Sequence, residues 1–209
     1  MLHLIYDTET TGLPLDYKAH VHDVDNWPRV VQLAWTIVDD DFDSLCSRNH
    51  IMYPMGYEIP EASTEIHGIT TAVAVEEGIS VPIALAEFAL AMDIADIQVG
   101  HNVNFDRKNL GAEFIRIGAD SVYESAKVMA RCCTMFKSTK LCGLRNSKGG
   151  MKWPTLQELH FHLFNEEFND AHDAMADVEA TVACYKRLVE LGEIDPEMLI
   201  AENAAKWHV

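Results

Sequence analysis

Leu2-His3-Leu4-Ile5-Tyr6-Asp7-Thr8-Glu9-Thr10-Thr11-Gly12-Leu13 carries the chain from an apolar run into two carboxylates one residue apart. Residues 2–6 read as a buried strand, and alternate side chains of a strand share a face. Asp7 and Glu9 therefore project together from one strand end. Two negative charges at that distance repel, and a hard divalent cation between them is the usual solution. Gly12 ends the run with a turn, which leaves the pair at the mouth of a site instead of inside a core.

Outward from this strand, residues 14–28 are polar and fit neither period. Residues 30–38 (Val-Val-Gln-Leu-Ala-Trp-Thr-Ile-Val) are β-branched and apolar, and residues 44–53 can pair with them as a hairpin. Apolar residues recur at helical spacing over 80–93, where Ser80 and Pro82 mark an N-terminal start. A short buried strand over 97–99 ends at Gly100-His101-Asn102, and an amphipathic helix over 105–117 follows. Residues 127–135 read as a strand, succeeded by a glycine-rich basic loop that reaches Gly150. Helices are expected over 155–164 and 174–191, the second with Val178, Val182, Tyr185 and Val189 on its core side, and Pro196 opens a short terminal helix. Three strands in a row, then strands alternating with helices, give an α/β sheet with an antiparallel portion and helical cover. A single domain over residues 1–209 is expected, with a core over 2–191 and a short C-terminal helical extension.

The composition bounds the class. A chain of 209 residues with 48% hydrophobic content can bury a full core, and no apolar stretch approaches the length of a membrane span. The N-terminus has no basic region ahead of an apolar segment, so secretion is not expected. The five cysteines (Cys46, Cys132, Cys133, Cys142 and Cys184) are an odd number without framework spacing, which fits reduced thiols in cytoplasm. The net charge of −17 argues at first against a nucleic-acid partner, but its distribution reverses that. Residues 125–157 contain no Asp or Glu and hold Lys127, Arg131, Lys137, Lys140, Arg145, Lys148 and Lys152. Beside a metal site, a positive rim suits a polyanion.

Two further acidic positions stand at the ends of apolar elements. Asp106 lies in Gly100-His101-Asn102-Val103-Asn104-Phe105-Asp106, past a short strand at a helix start. Asp177 lies in His172-Asp173-Ala174-Met175-Ala176-Asp177, in the opening turns of a helix. Alone, an Asp near a helix start reads as a cap or dipole partner, and a lone His as an ordinary residue. Together, Asp7, Glu9, Asp106, His172 and Asp177 with their local sequences resemble the three motifs of the DEDD 3′–5′ exonuclease superfamily. The spacing of His172 and Asp177 is similar to its DEDDh (DnaQ-like) branch, which includes the proofreading epsilon subunit of bacterial DNA polymerase III. The segment Ile66-His67-Gly68-Ile69-Thr70 is a further family-like element.

The resemblance implies an RNase H-like fold with a five-stranded mixed sheet flanked by helices. It implies a two-ion Mg²⁺ or Mn²⁺ site, with Asp7 bridging both ions, Glu9 and Asp177 completing the one that binds the attacking water, and Asp106 supporting the other. His172 would accept the proton of that water, a task suited to an imidazole. Backbone amides around Thr10 and Thr11, and the Leu13 side chain, would hold the terminal nucleotide. Asn102 and Phe105 would line the path of the strand, and His67 would lie near the site. An all-oxygen ligand set independently favours Mg²⁺ or Mn²⁺ over zinc.

The activity expected is therefore hydrolysis of phosphodiester bonds from single-stranded 3′ ends, DNA first, releasing nucleoside 5′-monophosphates. An RNA-trimming relative, or an inactive nucleic-acid or partner-binding module, are the alternatives; the second would predict erosion of an acidic set that is intact here. A polymerase, another protein or a second copy of the chain could serve as partner. The group His20, His22, Asp23 and Asp25 reads as a polar loop instead of a second metal site, and adjacent Cys132 and Cys133 should point to opposite faces of a strand.

Overall fold

Side-chain alternation along the first strand decides how the molecule is layered. In the computed structural model, which describes residues 1–169 and 171–207, the elements run β1 (His3–Thr10), β2 (Val30–Val38), β3 (Ser44–Ile51), α1 (Glu61–His67), α2 (Thr71–Glu77), α3 (Val81–Ile94), β4 (Ile97–Gly100), α4 (Val103–Arg116), α5 (Asp120–Val128), β5 (Ala130–Cys133), α6 (Thr134–Cys142), α7 (Leu156–Phe164), α8 (Ala174–Glu190) and α9 (Pro196–Trp207). The strands form one sheet in the order β3-β2-β1-β4-β5. β1, β2 and β3 are an antiparallel meander, and β1, β4 and β5 are parallel. This is the expected mixed sheet of five strands.

Leu4 and Tyr6 of β1 join Leu33, Trp35, Phe88, Leu110 and Phe114 in a core beneath α3, α4 and α5. Ile5 points the other way, into a second core with Val99, Cys132 and the α8 residues Val178, Tyr185 and Leu188. Odd-numbered β1 residues thus face α8, and His3 Nδ1 lies 3.0 Å from the Tyr185 hydroxyl. β1 runs on to Thr10, past the expected strand end, because pairing with β2 continues to Thr10 opposite Val30. Asp7 and Glu9 therefore belong to the strand itself and share the α8 face. Cys132 and Cys133 do fall on opposite faces, and all five cysteines are free thiols.

Residues 127–135 do not form one strand. Lys127 and Val128 finish α5, residues 130–133 pair with β4, and Thr134 and Met135 open α6. The expected basic loop is in part helical for the same reason: Thr134, Met135 and Ser138 recur at helical spacing and are buried. The Ser138 hydroxyl donates to the Thr134 carbonyl at 2.7 Å, which lets a polar side chain lie against the core. Gly143, at φ 63°, ends that helix in the left-handed conformation favoured by glycine.

The position of α4 matters most for the site. Glu113 is 1% exposed, accepts from Arg29 Nε at 2.7 Å and Nη2 at 3.1 Å, from the Val30 amide at 3.1 Å and from Arg116 at 2.9 Å. A charge so buried is tolerated because it is paired and hydrogen-bonded on every side. The arrangement ties α4 to the start of β2. Among the described residues, no helix is long and apolar enough to cross a membrane.

Candidate active site

Each acidic side chain reaches the site by a different local device. Asp7 and Glu9 extend from the α8 face of β1, both half-buried. Thr8, between them on the opposite face, donates to Asp106 Oδ1 through its amide at 3.1 Å and its hydroxyl at 2.7 Å. Asp106 sits in the first turn of α4 and is 2% exposed. The turn that delivers it depends on Asn102, which takes a left-handed conformation at φ 72°, one of the few residue types that tolerate it.

Asp177 occupies the first turn of α8, half-buried. That helix is capped by Asp173, whose Oδ1 accepts from the amides of Met175 at 3.0 Å and Ala176 at 3.1 Å. Gln32 of β2 donates to Asp173 Oδ2 at 3.0 Å and accepts from the Ala174 amide at 3.2 Å, clamping the helix start to the sheet. His172 precedes the cap at φ 73°, and its amide donates to Asp177 Oδ2 at 3.3 Å. Its side chain is exposed to solvent.

Glu9, His172 and Asp177 each present a ligand atom within 4.8 Å of the others. Burial, then the charges of Asp106, Asp177 and Glu9, hold the Asp7 carboxyl well above the usual carboxylate range. Burial followed by Asp177 and Asp106 pushes Glu9 up to about 8. Burial raises Asp106 to about 7 despite the Thr8 hydrogen bonds, and raises Asp177 to about 6 despite His172. Among the described residues, no lysine or arginine forms a salt bridge with any of the four. Four carboxylates crowded without a cationic side chain are the donor chemistry that a hard divalent ion satisfies.

The remaining expected residues surround this cluster. Thr10 is buried, with its hydroxyl donating to the Gly12 carbonyl at 2.7 Å. The Thr11 amide donates to the Arg29 carbonyl at 2.9 Å and its hydroxyl accepts from the Arg29 amide at 3.0 Å, so Thr11 ties the strand end to the next segment. Leu13 is 70% exposed. His67, at the end of α1, accepts from the Ile69 amide at 3.1 Å; burial lowers its pKa, and His172 is near enough to lower it further. Asn102 and Phe105 line a cleft at the start of α4. Sequence reading missed the contributions of Asp173 and Gln32. The cap position of Asp173, directly before a periodic helix, was the available signal; Gln32 left only a polar residue in an apolar run.

The RNase T family model, described as an exonuclease, matches residues 4–185. The chain belongs to this exonuclease family. No curated protein shows significant similarity to the sequence. Among solved structures, E. coli exonuclease I in complex with a dT13 oligonucleotide superimposes with a TM-score of 0.71 at 23% identity, over 92% of this chain and 42% of that one. The zinc-bound E. coli exonuclease I–single-stranded DNA complex gives 0.68 at 23% identity, over 91% and 40%. The fold is thus the RNase H-like one expected, and the chain spans about two fifths of the length of these structures. Exonuclease family membership implies dependence on a divalent metal, and Glu9, His172 and Asp177 present ligand atoms close enough together to hold one.

Proposed function

We propose that the protein is a divalent-metal-dependent 3′–5′ exonuclease that removes nucleoside 5′-monophosphates from single-stranded 3′ ends, DNA before RNA. The observation that carries this is the mutual proximity of Glu9, His172 and Asp177, with Asp7 and Asp106 near enough to feel the same charges. Asp7, which feels the charge of the other three, would hold the metal together with Glu9, Asp106 and Asp177. Mg²⁺ or Mn²⁺ held there would supply an acidified water, neutralise charge on the scissile phosphate and support the departing 3′ oxygen.

The protein's own groups do the rest. His172, next to Glu9 and Asp177, takes the proton of the attacking water and passes it to solvent, to which its ring is open. Thr8 and Gln32 hold Asp106 and the α8 start, so the carboxylates are placed before substrate arrives. Leu13, exposed beyond the turn, would wedge against the terminal base; the Thr11 amide, expected to help hold that nucleotide, is instead taken up by the Arg29 carbonyl. No side chain in the set reads base identity, which suits removal of whatever nucleotide is terminal. The oligonucleotide complexes of exonuclease I support a single-stranded DNA substrate. Five free thiols are in keeping with cytoplasm.

The test is incubation of the protein with 5′-labelled single-stranded DNA and matched RNA in Mg²⁺. A ladder shortening from the 3′ end, faster on DNA, is expected. Loss of label from the 5′ end, or no shortening in Mg²⁺ or Mn²⁺ by folded protein, contradicts the reading.

A further inference from the structure

The polar segment 14–28 and the acid-free stretch 125–157 hold none of the four carboxylates, yet they meet at the start of α4, the helix that carries Asp106. They enclose a cleft of about 220 Å³ lined by Tyr17, Trp27, Asn102, Phe105, Lys108 and Trp153, among others. Its walls are aromatic and its only charged lining residue is a lysine. Trp153 is 61% exposed and Tyr17 54% exposed, an unusual amount of bare ring for two residues facing the same space.

The cleft is built, not incidental. Asn26 accepts from the Asp16 amide at 2.7 Å and donates to the Asp16 carbonyl at 3.0 Å, closing the loop that bears Tyr17. Trp27 Nε1 donates to the His20 carbonyl at 3.2 Å, and Lys108 Nζ lies 4.9 Å from the Trp27 ring while donating to the Tyr17 carbonyl at 2.6 Å. On the other wall, His101 Nε2 donates to the Pro154 carbonyl at 3.0 Å and Nδ1 lies 3.0 Å from the Thr134 hydroxyl. A carbonyl can only accept, which fixes the proton on Nε2. His101 stands between β4 and Asn102, so the residue after Trp153 is pinned to the strand end that leads into Asp106. Phe136 packs edge-on against Trp153, with ring centroids 5.2 Å apart.

We infer that this cleft seats the base on the 5′ side of the scissile nucleotide, stacked on Trp153 and Tyr17, as the strand runs out along the basic segment. The inference rests on the nuclease reading above. Continuity gives the position, since Phe105, which lines the cleft, directly precedes Asp106 in the first turn of α4. Charge gives the direction: Lys137, Lys140 and Arg145 follow on α6 and the loop before Trp153, with no acid between residues 125 and 157. Stacking on an aromatic face is sequence-tolerant and worth about 1–3 kcal/mol per base. A base can enter so confined a space only when unpaired, so the cleft also selects single strands.

The experiment compares wild type, Trp153→Phe and Trp153→Ala on a thymidine oligonucleotide and on the p-nitrophenyl ester of thymidine 5′-monophosphate, which has no upstream base. Loss of one stacking contact of about 1–3 kcal/mol raises the oligonucleotide KM of the alanine variant roughly 5- to 150-fold. The expected result is that rise, with the phenylalanine variant close to wild type and a much smaller change in kcat/KM for the ester. Unchanged oligonucleotide KM in Trp153→Ala, or equal losses on oligonucleotide and ester, overturns the inference. If wild type hydrolyses neither, the nuclease reading fails instead. Equilibrium binding of a labelled dT oligonucleotide with Ca²⁺ in place of Mg²⁺ then decides the cleft: weakening by Trp153→Ala supports it, and equal binding overturns it.

Discussion

His172 lies close enough to Glu9 and Asp177 to act either on a water or as a ligand, and substitution separates the two. His172→Ala should lower kcat by roughly 10²–10⁴-fold, the scale of a positioned general base, while Mn²⁺ binding measured by titration calorimetry stays near that of wild type. Undiminished kcat would remove the assigned role, and a collapse of Mn²⁺ affinity would make the imidazole a ligand. Asp7 and Glu9 were legible in the sequence because a strand's period of two puts both on one face, and because adjacent charges at a strand end require a reason. Asp106 and Asp177 were legible only as partners in a motif, since each alone could be a cap. Asp173, which is a cap, shows how similar the two situations look: it stands four residues before Asp177 and differs only in where its oxygens find donors. Gln32 gave no signal, because which face of β2 meets α8 depends on sheet order.

Among the elements, α4 carries the most consequence for the site, since its first turn delivers Asp106 and its last turn is anchored through Glu113. Glu113→Ala strips a buried carboxylate from Arg29, Arg116 and the Val30 amide at once. A loss of about 3–5 kcal/mol in unfolding free energy is expected from chemical denaturation, the range for breaking a buried ion pair. A loss below about 1 kcal/mol would place this ion pair with exposed surface pairs. Long periodic elements such as α3, α4 and α8 were readable from apolar spacing. The helices α1 and α2 were not, with seven residues each, because two turns hold too few core positions to establish a period. α6 was hidden by lysines on its outer side and by buried Thr134 and Ser138, whose hydroxyls find acceptors in the His101 ring and the Thr134 carbonyl. Charge marked that segment as loop when the burial pattern made it helix.

At the scale of the whole molecule, the carboxylate cluster makes stability depend on pH and metal together. Metal-free, the folded protein holds Asp177, Asp106 and Glu9 at about 6, 7 and 8, against ordinary carboxylate values near about 4. The folded state therefore binds more of these protons than the unfolded chain between about pH 4 and 8. Stability from this cluster is highest below that window and falls as pH rises through it. Divalent ions replace the lost protons, so Mn²⁺ should raise Tm little at pH 5 and most at pH 8 and above. Melting curves in EDTA and in Mn²⁺ check this, and their difference isolates the cluster from other titrating groups. A metal effect equal at every pH would contradict it.

All of this depends on the four carboxylates being ion ligands, and diffraction from crystals soaked in Mn²⁺, recorded at the manganese edge, tests that most directly. Two anomalous peaks are predicted, about 3.5–4 Å apart, bounded by Asp7, Glu9, Asp106 and Asp177 with His172 alongside. Manganese bound elsewhere, or no peak among these side chains in crystals that retain the fold, would contradict the account.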